Sequence, residues 1–161
     1  AKGLTNAAVP MGAVAVKNEI YDAIVTGTSA GIEFFHGYTY SGHPLAAAAA
    51  IATLELHRAE DLPGRALALE PYWQDAVHSL KGLPNVIDIR DVGLIGAVEL
   101  APRPGKPTQR ALDVFRRCFD DGVLIRVTAD IIAMSPPLIC EKPHVDRLIN
   151  TLAEALVAEA A

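Results

Sequence analysis

Cysteine is scarce in this 161-residue chain: only Cys118 and Cys140 occur, far apart, with no CxxC and no third ligand nearby. That excludes a disulfide framework and supplies no zinc pattern, so a reducing, cytoplasmic setting is expected and no metal. Aromatic residues are also few, at 6%. With the many alanines, this favours closely packed helices beside a sheet. A basic stripe is missing, and the 14 Lys and Arg stand against 19 Asp and Glu for a formal net charge of −5. A nucleic-acid partner is therefore not expected, because such binders carry a basic face. Long apolar runs are missing too. The most apolar stretch, Pro44 to Leu54, is mostly alanine and falls short of the roughly 20 residues that hydrocarbon demands, so no membrane partner is expected. No signal peptide, transit segment, internal repeat or disordered tract is legible.

What the chain does have is apolar surface. Hydrophobic residues make up 51% and charged residues only 20%, with a mean hydropathy of +0.25. This exceeds what a self-contained domain of this length usually carries, so the surplus must meet protein. The chain opens on Ala1, in mid-phrase, which reads as something other than a natural N-terminus.

Pattern and punctuation divide the chain. Ala13 to Val16 reads as a buried strand and Glu19 to Ile24 as a helical segment, followed by a Gly/Thr/Ser loop through Gly31. Pro44 suits the first position of a helix, and the alanine run behind it has high helix propensity, giving a helix to about Arg58. Pro63-Gly64 should break or bend the path before a second helix from about Arg65 to Leu80. Val86 to Arg90 and Leu94 to Leu100 read as strands joined through Asp91-Val92-Gly93. Thr108 is the expected N-cap of a helix to about Asp121, closed by Gly122. Strands at Val123 to Val127 and Ile131 to Met134 and a helix from about Lys142 to Ala158 complete the chain. The pattern is α/β: the end of an α/β domain over residues 1–62, then a smaller α+β domain over 63–161.

Three features could carry chemistry. Lys2, ahead of the apolar run, is either a desolvated amine able to attack an aldehyde or an exposed lysine at a terminus. The Gly37 to Pro44 loop feeds a helix N-terminus, where free N–H groups with Thr39 or Ser41 could hold an anion; ordinary capping by Ser41 or His43 is the alternative. Tyr38 is close enough to Thr39 to line the same pocket. Arg126, a cation inside an apolar strand, could grip a carboxylate with its planar fork, form a structural ion pair or face solvent. Asp88, Asp91 and Glu99 read as strand-end or turn residues, and Tyr72 and Trp73 as packing residues.

Four phrases stand in order along the chain: Ala1-Lys2-Gly3-Leu4-Thr5-Asn6 with Val9-Pro10-Met11-Gly12-Ala13, His36-Gly37-Tyr38-Thr39-Tyr40-Ser41-Gly42-His43-Pro44, Gly122-Val123-Leu124-Ile125-Arg126, and Ser135-Pro136-Pro137-Leu138. Together they resemble the C-terminal portion of the class III, or ω-amino acid, aminotransferases, and within these the ω-amino acid:pyruvate (β-alanine:pyruvate) branch. The resemblance implies the fold type I scaffold, here the end of its large domain plus the small C-terminal domain, and pyridoxal 5′-phosphate as cofactor. It implies that Lys2 is the catalytic lysine carrying the cofactor as a Schiff base and moving the proton at the substrate Cα. Thr39, with Tyr38 beside it, would bind the cofactor phosphate, the loop reaching the pocket of a neighbouring subunit, and Arg126 would bind the substrate carboxylate. The implied reaction is ping-pong transfer of an amino group from an ω-amino acid or amine to a keto acid such as pyruvate. The implied assembly is a homodimer or dimer of dimers.

The same resemblance implies that the aspartate under the cofactor ring nitrogen, the glycine-rich phosphate turn and the stacking aromatic lie in an N-terminal portion absent from this sequence. The segment alone is then expected to be inactive. Two other readings stay open: an enzyme of the same fold and cofactor with aminomutase or decarboxylase chemistry, and a non-catalytic assembly fragment.

Overall fold

A computed structural model describes residues 3–27, 29, 31, 32, 34 and 36–160. The chain divides into two compact units, Ala1–Asp61 and Leu62–Ala161.

In the first unit the described elements are two helices, α1 (Asn18–Thr26) and α2 (Pro44–Ala59). Pro44 occupies the first turn of α2, as its fixed φ and missing N–H favour, while His57 and Arg58 in the last turn complement the helix dipole. Only Thr5, Ala46 and Ala50 are buried among this unit's described residues; Leu45, Ile51, Leu54 and Leu56 of α2 are exposed. The strand expected at Ala13 to Val16 is not formed. That segment has no regular structure, and Val14 is 90% exposed. A buried strand needs a ladder partner as well as an apolar run, and among the described residues no segment pairs with this one.

The second unit is a two-layer α/β sandwich. Helix α3 (Leu62–His78) precedes the hairpin of β1 (Val86–Val92) and β2 (Ile95–Leu100). Helix α4 (Gln109–Asp120), the hairpin of β3 (Arg126–Thr128) and β4 (Ile131–Met134), and helix α5 (Lys142–Glu159) follow. The sheet is antiparallel throughout, in the order β1-β2-β4-β3. Helix α5 packs on both α3 and α4, while α3 packs on β1 and α4 on β3 and β4. The core follows helical spacing on each helix, with Leu69, Trp73 and Val77 from α3, Ala111, Val114 and Cys118 from α4, and Val145, Ile149, Leu152 and Leu156 from α5. These meet one face of the sheet through the cross-strand row Ile89, Val98, Ile132 and Val127. Gly96 brings the α3 helix close, since a Cβ there would lie 3.0 Å from Trp73 Cζ2 and 3.2 Å from Val77 Cγ2.

Several boundaries differ from the sequence expectations. Pro63 and Gly64 do not break the chain but lie in the first turn of α3, the one place where a proline's missing N–H takes no helical bond. The strand expected over Val123 to Val127 is confined to Arg126–Thr128. Thr108 precedes α4 but does not cap it with its side chain: its φ is 69°, and its own N–H donates to the Asp130 carboxylate at 2.8 Å. Gly122 does close α4. With φ of 79° it donates to Phe119 O at 3.0 Å while Val123 N–H donates to Cys118 O at 2.7 Å, the paired bonds of a Schellman motif.

Candidate active site

In the first unit, the N-terminus of α2 shapes a cleft. The Ser41 N–H donates to Tyr38 O at 2.9 Å, closing a turn, and Gly42 at φ 70° redirects the chain into the helix. Neither Ser41 nor His43 caps α2 with a side-chain hydrogen bond. Among the described residues, the Leu45 and Ala46 N–H groups and the Thr39 and Ser41 hydroxyls have no partner. Four uncommitted donors thus surround a helix dipole's positive end, the arrangement that accepts an anion. Thr39, Ser41 and His43 line a cleft of about 900 Å³ together with Val9 to Gly12. Tyr38 does not line it; its ring is exposed and packs edge-on to His36 at 5.1 Å and tilted to Phe34 at 6.4 Å. Lys2 lies outside the described residues.

In the second unit, Arg126 begins edge strand β3. Register places Arg126 opposite Ala133, Ala133 opposite Ala97, and Ala97 opposite Arg90. Side chains alternate across a sheet, so this row lies on the face away from the helices. The two arginines of the row differ. Arg90 is held between Asp88 and Glu99, the latter at 2.8 Å. Arg126 is exposed and has neither an ion pair nor a side-chain hydrogen bond among the described residues. It borders an apolar cleft of about 980 Å³ together with Leu124, Val127, Pro136, Pro137 and Ile139. Two small alanines beside an unpaired guanidinium leave room for a planar anion to approach the fork.

Several other titratable groups are engaged elsewhere. The Asp91 carboxyl is held below its usual range by hydrogen bonds from Gln74 and then His78, the His78 contact being 2.8 Å. Glu159 bridges Arg103 and Arg110 at 2.5 Å each. Burial, with the nearby Asp121 charge, pushes the Cys118 thiol up to about 11. Sequence reasoning passed over Thr5, whose hydroxyl is buried and donates to Val9 O at 2.6 Å; its signal is the Asn6 beside it, a residue type that tolerates the positive φ of a tight turn.

Residues 1–156 match the family model described as Aminotransferase class-III. The omega-aminotransferase of Caulobacter vibrioides is 62% identical over 156 residues, which are 97% of this chain and 36% of that protein. The beta-alanine--pyruvate aminotransferase of Pseudomonas aeruginosa is 40% identical over 158 residues, 97% of this chain and 35% of its own length. This chain therefore spans about a third of these relatives. Among solved structures, an amine transaminase from an uncultivated Pseudomonas species, in its PLP-bound internal aldimine form, superimposes with a TM-score of 0.85 at 32% identity over 98% of this chain and 37% of that one. The α/β fold is that of the corresponding part of a fold type I transaminase. On the family match and on the likeness to these relatives, the chain belongs to the class III aminotransferases.

Proposed function

We propose that this chain is the C-terminal portion of a pyridoxal 5′-phosphate enzyme that moves an amino group from an ω-amino acid or amine to a keto acid, with pyruvate as acceptor. The observation that carries this reading is Arg126, a guanidinium without a partner among the described residues, at the start of an edge strand beside an apolar cleft. The 62% and 40% identities to an omega-aminotransferase and a beta-alanine--pyruvate aminotransferase support it. In this reading residues 1–62 end the large domain and 63–161 form the small one. The enzyme works in the cytoplasm as a homodimer or dimer of dimers, with an N-terminal portion that completes the site.

The residues present suit the cofactor's phosphate. The Thr39 and Ser41 hydroxyls and the Leu45 and Ala46 N–H groups are, among the described residues, uncommitted donors at the positive end of α2, and Thr39 would hold that phosphate, with Tyr38 supporting the loop from outside the cleft. When bound, the cofactor supplies an aldehyde and an electron sink through which amino groups are exchanged. Lys2 Nζ would hold the aldehyde covalently and, once released by a substrate amine, carry the proton at the substrate Cα. Arg126 would orient the acceptor's carboxylate by two parallel N–H donations. Donor and acceptor then use one site alternately, in ping-pong order.

Borohydride treatment of the enzyme purified with its N-terminal portion should attach the cofactor to Lys2, read by peptide mass spectrometry. Absence of the label there would reject the lysine's role. A substrate panel in which carboxylate-bearing acceptors gain nothing over neutral ketones would reject the role of Arg126.

A further inference from the structure

Between Lys2 and the cleft wall runs a segment of unusual backbone. Asn6 and Ala7 have φ of 48° and 58°, and the Ala8 N–H donates to Thr5 O at 3.0 Å. Two consecutive left-handed residues closed by an i to i+3 bond make a turn of the I′ kind, which places glycine, not alanine, at its second corner. Residues such as Ala7 persist in this region only where their surroundings hold them. Among the described residues, the side-chain hydrogen bond that spans this turn comes from Thr5. Thr5 is 1% exposed, the one polar residue buried among those described, and its hydroxyl donates across the turn to Val9 O at 2.6 Å. Val9 is in turn the first residue of the wall, Val9 to Gly12, that lines the same cleft as Thr39.

We propose that Thr5 is a positioning residue for Lys2: its buried hydroxyl clamps the left-handed turn at Asn6-Ala7 and so fixes the segment that joins the lysine to the wall of the Thr39 cleft. The proposal rests on the role given above to Lys2. A bond that only stabilised the unit would leave the reacting amine where it was. One that sets the lysine's position alters the turnover of bound substrate, since misplacement by about 1 Å can lower a rate about 100-fold.

The test compares Thr5→Val, which keeps the shape and removes the donor, with Thr5→Ser, which keeps the donor, in the enzyme carrying its N-terminal portion. We expect Thr5→Val to lower kcat by about 10-fold or more with the KM of the amine donor within about 2-fold, and Thr5→Ser to remain within about 3-fold of the parent. Independently of turnover, the pH midpoint of the visible absorbance of the Lys2-bound cofactor should shift in Thr5→Val and return in Thr5→Ser. An unchanged midpoint and kcat in Thr5→Val, or equal impairment of Thr5→Ser, overturns the proposal. Should Thr5→Val fail to fold, Thr5→Cys, a weak donor of similar size, takes its place: lowered kcat with a shifted midpoint supports the clamp, and parental values of both overturn it. A parent enzyme in which borohydride leaves Lys2 unlabelled overturns the role of the lysine itself, and this inference with it; a labelled parent with an indifferent Thr5→Val overturns this inference alone.

Discussion

Replacing Arg126 separates anchoring of a carboxylate from support of the fold. Its side chain is exposed and has no hydrogen bond or ion pair among the described residues. Its backbone pairs with Ala133 at the edge of the sheet. Arg126→Ala leaves that ladder in place, and the stability change should stay within about 0.5 kcal/mol. The functional loss is larger. Two charge-assisted N–H donations to a carboxylate are each worth about 1.5–3 kcal/mol before discounting for water. The guanidinium starts exposed and is desolvated only in part, so about 3 kcal/mol is a reasonable total, corresponding to roughly 100-fold in kcat/KM. Arg126→Lys keeps the charge but not the fork and should lose roughly 10-fold. The assay measures the two half-reactions separately, the keto acid consumed in one and an amine donor lacking a carboxylate in the other. Only the first should suffer. Equal losses in both half-reactions, or a carboxylate half-reaction within about 2-fold of the parent, would refute the anchor.

Three further predictions concern the second unit. Gly96→Ala puts a methyl 3.0 Å from Trp73, itself 0% exposed, and this overpacking should destabilise by about 1–3 kcal/mol, seen as a lower urea midpoint at unchanged slope and eased by Val77→Ala. Glu159→Gln removes the charge that bridges Arg103 and Arg110; with the carboxylate 4% exposed, the change should cost about 2 kcal/mol, checked by chemical denaturation. Cys118 should resist thiol reagents at about pH 8 in the folded state. Because its folded pKa of about 11 is raised from 9.0, its contribution is full below the unfolded value and is lost as pH rises from about 9 toward 11, by up to about 1.4 kcal/mol per pH unit. Cys118→Ala should flatten that decline, and an unaltered pH profile would contradict the shift.

Helices were more legible than strands, and the reason is local. The glycine after α4 must adopt a positive φ to pair Val123 and Gly122 with the last carbonyls, and that requirement is written in one residue. Pro44 marks the start of α2 in the same way. Strands depend on partners. Val123 to Ile125 are more apolar than β3 itself, yet the ladder to β4 begins only at Arg126, in a register set by the hairpin turn at Ala129, whose φ is 52°. Thr108 shows the converse: it stands where a capping threonine should, but Asp130, distant in sequence, takes its N–H and draws the backbone to positive φ. Long-range hydrogen bonds of this kind leave no mark in a local pattern.

The candidate site divides along the same line. Thr39 and Arg126 were legible because each is a polar residue where local texture is otherwise apolar or glycine-rich, and the structure leaves both side chains without partners among the described residues. Thr5 was not, because its significance is burial, and burial is a property of the folded turn. The composition repeats the point at the scale of the chain. The second unit builds one continuous apolar core, whereas the first buries three of its described residues and exposes Val14, Val16, Leu45, Ile51, Leu54 and Leu56. The apolar surplus is therefore unevenly spread: the second unit also exposes Leu67, Val92 and Leu124, but it has a core beneath them, whereas the unit that carries Thr39 and the Thr5 turn buries almost nothing. Surface of that kind marks a contact with more protein, and in the function proposed above, covering it would dry the cleft at Thr39.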